Sequence, residues 1–208
     1  MTTIENTYTD IFPELQKLSL AIEVHLKEYL SEIQRIDRIS ARPKSIERFL
    51  TKAGKIENGE KKYIEPKKQI QDQVGARIIT YYLSDVNKIA EHIHKYYEPV
   101  EEIDKQPKNH DAFSYLGKHF ILFIPDELRT WDSKLQMPLF FELQIKTLFQ
   151  HAWAESEHDL NYKTDDELAV DDKRLIAFSA AQAWGADRVF DDLFNKYNKQ
   201  AEDNKDTK

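Results

Sequence analysis

Ionisable and apolar side chains alternate along residues 141–147. In an extended strand successive side chains point to opposite faces, so Glu142, Gln144 and Lys146 share one face and apolar residues take the other. The sequence therefore predicts a strand with one face in the core and one face available for chemistry. Polar groups from this strand and from the segment that follows converge on one place.

A helix crowded with histidine, glutamate and tryptophan is predicted directly after this strand. Thr147 can cap its N-terminus, and helical spacing places His151, Glu155 and His158 near one stripe. Imidazole and carboxylate groups suit zinc or iron, so a metal-dependent hydrolase built on these three side chains is one hypothesis. The structural alternative is a solvated strand face followed by surface histidines.

Asp72 and Arg77 flank the start of a second buried strand, predicted over residues 74–82. Asp72 stands where a carboxylate can hold a metal ion, and Gly75 leaves room for a ligand to approach the backbone. An arginine in such a strand needs a partner. An ordinary ion pair between Asp72 and Arg77 is the alternative interpretation.

Basic residues concentrate around a short helix predicted over residues 45–53 and ended by Gly54. Arg42 and Lys44 therefore lie near a helix N-terminus, which favours phosphate. Clustered cations suit a polyanionic ligand such as a nucleoside triphosphate, although a charge run is often a solvated face. The first group contains Arg42, Lys44, Arg48, Lys52 and Lys55, and the second group contains Lys61, Lys62, Lys67 and Lys68.

The elements that must position these residues follow from apolar periodicity and from turn residues. Helices are predicted over residues 10–38, 45–53, 84–97 and 170–197, strands over 74–82, 118–124 and 138–147, a polar loop over 101–114, and a frayed tail over 198–208. We expect an α/β (α+β) fold in which a mixed β-sheet is flanked by helices. Apolar stripes on the long terminal helices predict a homo-oligomer.

Composition limits the class of protein. The 208 residues, of which 40% are hydrophobic, fit one domain: an N-terminal helix within residues 1–40, a catalytic core over 41–165, and a C-terminal helix and tail over 166–208. A net charge of -7 argues against broad binding to nucleic acid. The absence of cysteine excludes disulfides and thiolate nucleophiles. Without a signal-peptide pattern or a membrane-spanning apolar run, we expect a cytoplasmic protein that does not bind membranes.

The motifs, taken in order, resemble the nucleotidyl (pyrophosphokinase) domain of RelA/SpoT proteins. They are Arg42-Pro-Lys44-Ser45 with Lys52; Asp72-Gln-Val-Gly75-Ala-Arg77; Tyr115 with His119; Glu142-Leu-Gln144-Ile-Lys146-Thr147; and Trp153-Ala-Glu155-Ser-Glu157-His158 with Tyr162-Lys163. The resemblance covers roughly residues 40–165. The flanking helices are similar in layout to those of single-domain small alarmone synthetases, which implies a nucleotidyltransferase-like synthetase fold with long N- and C-terminal helices.

The resemblance implies transfer of pyrophosphate from ATP to the 3′-hydroxyl of GDP or GTP, which makes guanosine tetraphosphate or pentaphosphate. It also implies Mg²⁺ as cofactor, with Asp72 as a metal ligand and Glu142 completing the metal site or acting as base. The ATP phosphates would be bound by Arg42, Lys44, Ser45, Lys52 and Arg77. Tyr115 would stack on the acceptor base. The other implied acceptor-side residues are His119, Gln144, Lys146, His151, His158 and Lys108.

The sequence departs from the family pattern around the acceptor tyrosine, where Ser114 replaces a common glycine and Gly117 replaces a common serine; Arg48 also stands where a serine is frequent. Acceptor choice therefore stays open. Toxic relatives, which can have an antitoxin partner, modify the 3′ end of tRNA or make adenosine alarmones, and the second basic group could anchor a tRNA. A third hypothesis is a non-catalytic nucleotide-binding module, against which the presence of both Asp72 and Glu142 argues.

Overall fold

Helices and strands are mixed along the chain. In the computed structural model, residues 3–104, 113–115, 117–163 and 168–203 are described. The elements are α1 (Thr3–Tyr29), β1 (Ile36–Pro43), α2 (Ile46–Ala53), β2 (Ile56–Glu57), β3 (Glu60–Lys61), α3 (Pro66–Gln69), β4 (Val74–Thr80), α4 (Leu83–Tyr96), β5 (Glu101–Asp104), β6 (Lys118–Phe123), a 3₁₀ turn (Asp126–Leu128), β7 (Phe140–Thr147), α5 (Leu148–Lys163) and α6 (Val170–Asp203). Among the described residues, no helix combines the length and the apolar character needed to cross a membrane.

The described strands form a five-stranded mixed sheet in the order β1-β4-β7-β6-β5, beside a two-stranded hairpin of β2 and β3. The central strands β4 and β7 run parallel. The other neighbours in the large sheet pair antiparallel. The predicted α+β fold, with a mixed sheet flanked by helices, is confirmed.

One face of the sheet is covered by α1 and α4 and forms the main core. Leu15 and Ile22 of α1 and Ile89 and Ile93 of α4 are almost fully buried. They pack in one cluster with side chains of the central strands: Val74, Ala76, Ile78, Phe141, Leu143 and Ile145. Each such large apolar side chain stabilises the fold by about 1.5–3 kcal/mol. The opposite face of the sheet is thereby left for polar side chains.

The predicted helix over residues 10–38 is wrong at its C-terminal end, because α1 stops at Tyr29 and β1 begins at Ile36. Between them Arg35 has a φ of 65°, in the left-handed region, which reverses the chain. In β1 the core-facing Ile39 and Ala41 alternate with polar residues, so the period of two was present in the sequence. Pro43 fits there because β1 is an edge strand.

The strands predicted over residues 74–82, 118–124 and 138–147 are confirmed within a few residues as β4, β6 and β7. The short helix is confirmed as α2. Its N-cap Ser45 accepts a hydrogen bond from the Arg48 N–H, and Gly54 follows its last turn. Thr147 caps α5 as predicted, because its hydroxyl accepts from the Gln150 N–H at 3.0 Å.

Three predicted boundaries need correction. Residues 101–104 of the predicted loop form the edge strand β5, paired with β6, while residues 105–112 lie outside the described residues. Helix α4 runs from Leu83 to Tyr96 with Tyr82 as N-cap, so each end lies one residue before the predicted bound. Helix α6 continues to Asp203, so residues 198–203 are helical; residues 204–208 are outside the described part.

Candidate active site

The open face of the sheet carries two rows of polar residues set by strand register. Gly75 of β4 lies between Arg42 of β1 and Glu142 of β7. Two residues along the strands, on the same face, the next row contains Ser40, Arg77, Gln144 and His119. A Cβ atom at Gly75 would meet nothing within 4 Å, so the floor of the site is open at its centre.

A cavity of about 970 Å³ lies over these rows. It is bounded by the sheet, by the N-terminal end of α2 and by one side of α5. Its lining includes Arg42, Lys44, Ser45, Arg77, Asp72, Glu142, Gln144 and His158. Three of the predicted cations and both carboxylates therefore line one pocket, and Lys52 contacts it through Asp72.

Asp72 is bound by two lysines. The Lys44 Nζ lies 3.0 Å from Asp72 Oδ2, and the Lys52 Nζ lies 2.9 Å from the same oxygen. The other carboxylate oxygen, Oδ1, is buried and has no hydrogen-bond partner. An unpaired buried carboxylate oxygen is costly, so the Asp72 carboxylate lacks a partner that a ligand such as a metal ion could supply.

Arg77 does not pair with Asp72, so that alternative is wrong. Its guanidinium lies 2.9 Å from Glu155 and 3.3 Å from the Nδ1 atom of His151. A guanidinium can only donate, so Nδ1 accepts and the ring is neutral with its proton on Nε2. Burial, followed by the positive charge of Arg77, lowers the pKa of His151, in agreement with a neutral ring.

Glu142 is held by two side-chain donors. His119 Nδ1 lies 3.1 Å from Oε1, and Gln144 Nε2 lies 2.7 Å from Oε2. Burial by itself would raise the pKa of Glu142. The bond and charge of His119, the bond from Gln144 and the charge of Lys44 outweigh it and lower the pKa to about 2. The carboxylate is therefore ionised and well suited to bind a cation, but it is a weak base.

Lys146 lies on the same face of β7 and is only 4% exposed. Burial, and then repulsion from Arg77, lowers its pKa to about 8, against attraction from Glu155 and Glu142. Lys146 is therefore a buried ammonium group on the strand that carries Glu142 and Gln144.

Tyr115 is not presented to the pocket, contrary to the prediction that it stacks on an acceptor base. Its side chain is 2% exposed and packs with Trp153, Ala154 and Ala180. Its hydroxyl donates to Asp187 of α6 at 2.6 Å, and the Thr147 hydroxyl donates to the same carboxylate oxygen. In this structure Tyr115 is a core residue.

Gly117 explains this path of the chain. It has a φ of +77°, and a Cβ atom there would lie 2.6 Å from the Ile145 carbonyl oxygen and 2.9 Å from the Lys146 side chain. A serine at this position would clash with β7. The replacement seen in the sequence therefore allows residue 117 to lie directly against β7.

Asp187 was missed by sequence reasoning. It is 1% exposed on the inner side of α6. A signal was present: it follows Ala180 and Ala183 at steps of three and four residues, and both alanines pack in the cluster that contains Tyr115. A carboxylate on the buried stripe of a helix needs donors from another element.

Two acceptor-side residues predicted from the sequence remain, His158 and Lys108. His158 is exposed at the rim of the pocket, and Lys108 lies outside the described residues. No group of three or more potential ligands that could hold a metal ion occurs in the described part of the chain. His151 and Glu155 instead contact Arg77, so the hydrolase hypothesis has no support from the geometry.

A pocket with several cations and two carboxylates, on the open face of a mixed sheet, is suited to a polyphosphate bound together with a divalent cation. A family model described as a region found in RelA / SpoT proteins matches residues 41–167. Since that region is more than half of the chain, the protein belongs to the RelA/SpoT family.

Solved structures with a similar fold include small alarmone synthetase 1 from Bacillus subtilis. It is 20% identical, with a TM-score of 0.76 over 93% of this chain and 99% of that chain. The same enzyme bound to its product pppGpp is 21% identical, with a TM-score of 0.67 over 92% and 95%. A GTP pyrophosphokinase family protein from Streptococcus pneumoniae is 20% identical, with a TM-score of 0.74 over 96% and 97%. No curated protein matches the sequence.

Proposed function

We propose that the protein transfers pyrophosphate from ATP to the 3′-hydroxyl of GDP or GTP and so makes (p)ppGpp alarmones. The observation that carries the proposal is the pocket that Asp72 and Glu142 line together with Arg42, Lys44, Arg48 and Arg77. Membership of the RelA/SpoT family supports it. So does the likeness of the fold to a synthetase whose product is pppGpp.

On the donor side, Arg42 and Lys44 bind the ATP phosphates near the N-terminus of α2, together with Lys52 from its last turn. Arg42 offers a planar pair of donors, while each lysine acts as a point charge. Asp72 and Glu142 would hold Mg²⁺, which matches the use of one or two carboxylates plus substrate phosphates. When bound, Mg²⁺ would neutralise charge on the phosphate oxygens.

On the acceptor side, the oxygen of the 3′-hydroxyl attacks the β-phosphorus of ATP and its proton passes to solvent, while the bond to the α–β bridging oxygen breaks and AMP leaves with that oxygen. The His119 Nε2 and Gln144 Oε1 atoms are buried and have no partner among the described residues, which supports a polar ligand at this place. Lys146 attracts the acceptor phosphates. The low pKa of Glu142 favours a role in binding and orientation over a role as the base.

A different acceptor is the second candidate, and the burial of Tyr115 favours it, because the expected stacking partner for guanine is absent from the pocket surface. The acceptor would then be an adenosine nucleotide or the 3′ end of tRNA. The second basic group gives tRNA limited support, since Lys62 pairs with Glu57 and Lys68 pairs with Glu65. These pairs reduce the positive charge available to a phosphate backbone.

The test is a transfer assay with γ-labelled ATP and Mg²⁺, in which GDP, GTP, ATP and deacylated tRNA are separate acceptors. Glu142→Gln keeps the shape of the side chain and removes its charge, so it should reduce transfer by at least about 100-fold. Label on GDP or GTP that depends on Glu142 supports an alarmone synthetase. Label on tRNA alone or on ATP alone would support the second candidate. Label on no acceptor would contradict both and favour a nucleotide-binding module.

A further inference from the structure

Two ammonium groups meet at one oxygen of Asp72. Lys44 follows β1 and Lys52 lies in the last turn of α2, yet both Nζ atoms are within 3.0 Å of Asp72 Oδ2. The three side chains are partly buried, with 19%, 28% and 19% of the side-chain surface of Lys44, Lys52 and Asp72 exposed. Charges in such a place are screened less than at the surface. The negative charge of Asp72 is therefore compensated without any other ligand.

Both oxygens of this carboxylate are closed to a cation from solvent. Oδ2 is occupied by the two lysines, and Oδ1 is buried without a partner. Glu142 is bound separately by His119 and Gln144. A bare divalent cation would have to displace an ammonium group and would find no group of three or more ligands among the described residues.

A bound triphosphate would compete with Asp72 for the ammonium groups of Lys44 and Lys52. Its oxygens are strong acceptors for lysine, so each ammonium group that turns to a phosphate releases a lone pair of Asp72. The phosphates also provide the ligands that Mg²⁺ prefers, which two carboxylates alone do not provide. The same movement therefore opens the carboxylate and completes the coordination shell.

We propose that Lys44 and Lys52 are positioning residues that close Asp72 to free metal, so that the divalent cation enters only with the nucleotide. This inference rests on the proposed function, since it takes ATP and Mg²⁺ as the ligands of the pocket. It adds an order of events: the lysines leave Asp72 for the phosphates, and Asp72 then binds the metal. A purely structural role, in which the lysines anchor α2 to the loop before β4, predicts no effect on metal affinity.

The experiment is a titration of nucleotide-free protein with Mn²⁺, followed by the electron paramagnetic resonance signal of free Mn²⁺. The wild type should bind weakly. Lys52→Met and Lys44→Met should each bind Mn²⁺ at least about tenfold more tightly, the effect that one adjacent unit charge has on a carboxylate. Lys17→Met is the matched control, because it removes an exposed lysine paired with Glu14 on α1 and should change nothing. Adding Asp72→Asn to Lys52→Met should abolish the gain.

Tight binding of Mn²⁺ by the nucleotide-free wild type, or an unchanged affinity in both folded lysine variants, would overturn the inference. Thermal unfolding checks that each variant is folded, and Lys52→Gln, which keeps a polar side chain, replaces Lys52→Met if the latter is not. Because the readout is metal binding without turnover, it is independent of the transfer assay. A failed transfer assay with a positive Mn²⁺ result would overturn the proposed reaction and leave the role of the lysines intact.

Discussion

Lys146 is a buried cation whose pKa of about 8 falls within the range of ordinary assays. Its charge faces Arg77, Glu155 and Glu142 and is present below pH 8. Above that pH the ammonium group loses its proton and no longer attracts the acceptor phosphates. As the pH rises from 7 to 9, we expect the KM for the acceptor to rise. The slope should not exceed about tenfold per pH unit, because one proton is lost. The measurement is KM against pH with saturating ATP and Mg²⁺.

Lys146→Arg is the control for this titration, because arginine keeps its charge at these pH values and should give a flat profile. Equal profiles for the two proteins would contradict the prediction.

The lowered pKa of Lys146 also affects the stability of the fold, and raising the pH favours the folded state although it weakens acceptor binding. Since the folded pKa is below the unfolded value of 10.5, the unfolded chain binds more protons between about pH 8 and 10.5. The contribution of Lys146 to the free energy of unfolding therefore increases across that window.

At the residue scale, the sequence placed several groups on the pocket face, but it predicted neither the burial of Tyr115 nor how the groups pair. Alternation placed Glu142, Gln144 and Lys146 on one face, because a strand has a fixed period of two. The partner of Arg77 could not be predicted in the same way, since His151 is 74 positions away. Tyr115 meets Asp187 across 72 positions. Such pairs depend on how distant elements pack, which local patterns do not encode.

At the element scale, the loop before β6 depends on Gly117. We expect Gly117→Ser to lower the free energy of unfolding by about 1–3 kcal/mol, because the new Cβ atom would clash with β7 in a left-handed backbone conformation. The loop would then move from the sheet and expose Tyr115. The measurements are denaturant unfolding and hydrogen exchange of the segment around Tyr115.

Gly59→Ser is the matched control for this loop. Gly59 also has a positive φ, of 83°, but a Cβ atom there would meet nothing within 4 Å. It therefore reports the backbone cost alone, and the difference between the two variants isolates the contact with β7. If Gly117→Ser is no more destabilising than the control, the close approach to Ile145 does not hold the loop in place.

The helices and strands were predicted best where local residues mark both ends of the element. Ser45 and Gly54 mark both ends of α2, since a cap and a stop are local features. The region between α1 and β1 was predicted badly because Ile33 and Ile36 continue the helical period across a turn. Strand β5 was predicted as loop because three of its four residues are acidic and disfavour strands, and because it pairs only with β6.

At the scale of the whole molecule, one helix, α6, has several large apolar side chains exposed to solvent. Leu175, Phe178, Val189 and Phe190 are each more than half exposed. We expect a second copy of the chain to cover this face, and Phe178→Asp to lower the mass measured by light scattering. Ile64→Asp is the control, since Ile64 is 83% exposed and lies far from α6 in sequence. A monomeric wild type would contradict the prediction.

The carboxylate of Asp187 connects α6 with two other parts of the chain. It receives hydroxyl groups from Tyr115 in the loop before β6 and from Thr147, the residue that caps α5. Helix α6, which is about 50 Å long at 1.5 Å per residue over 34 residues, is thus tethered at one atom to the loop and to the end of the strand that carries Glu142. A displacement of α6 at Asp187 would therefore act directly on Thr147, at the end of the strand that carries Glu142.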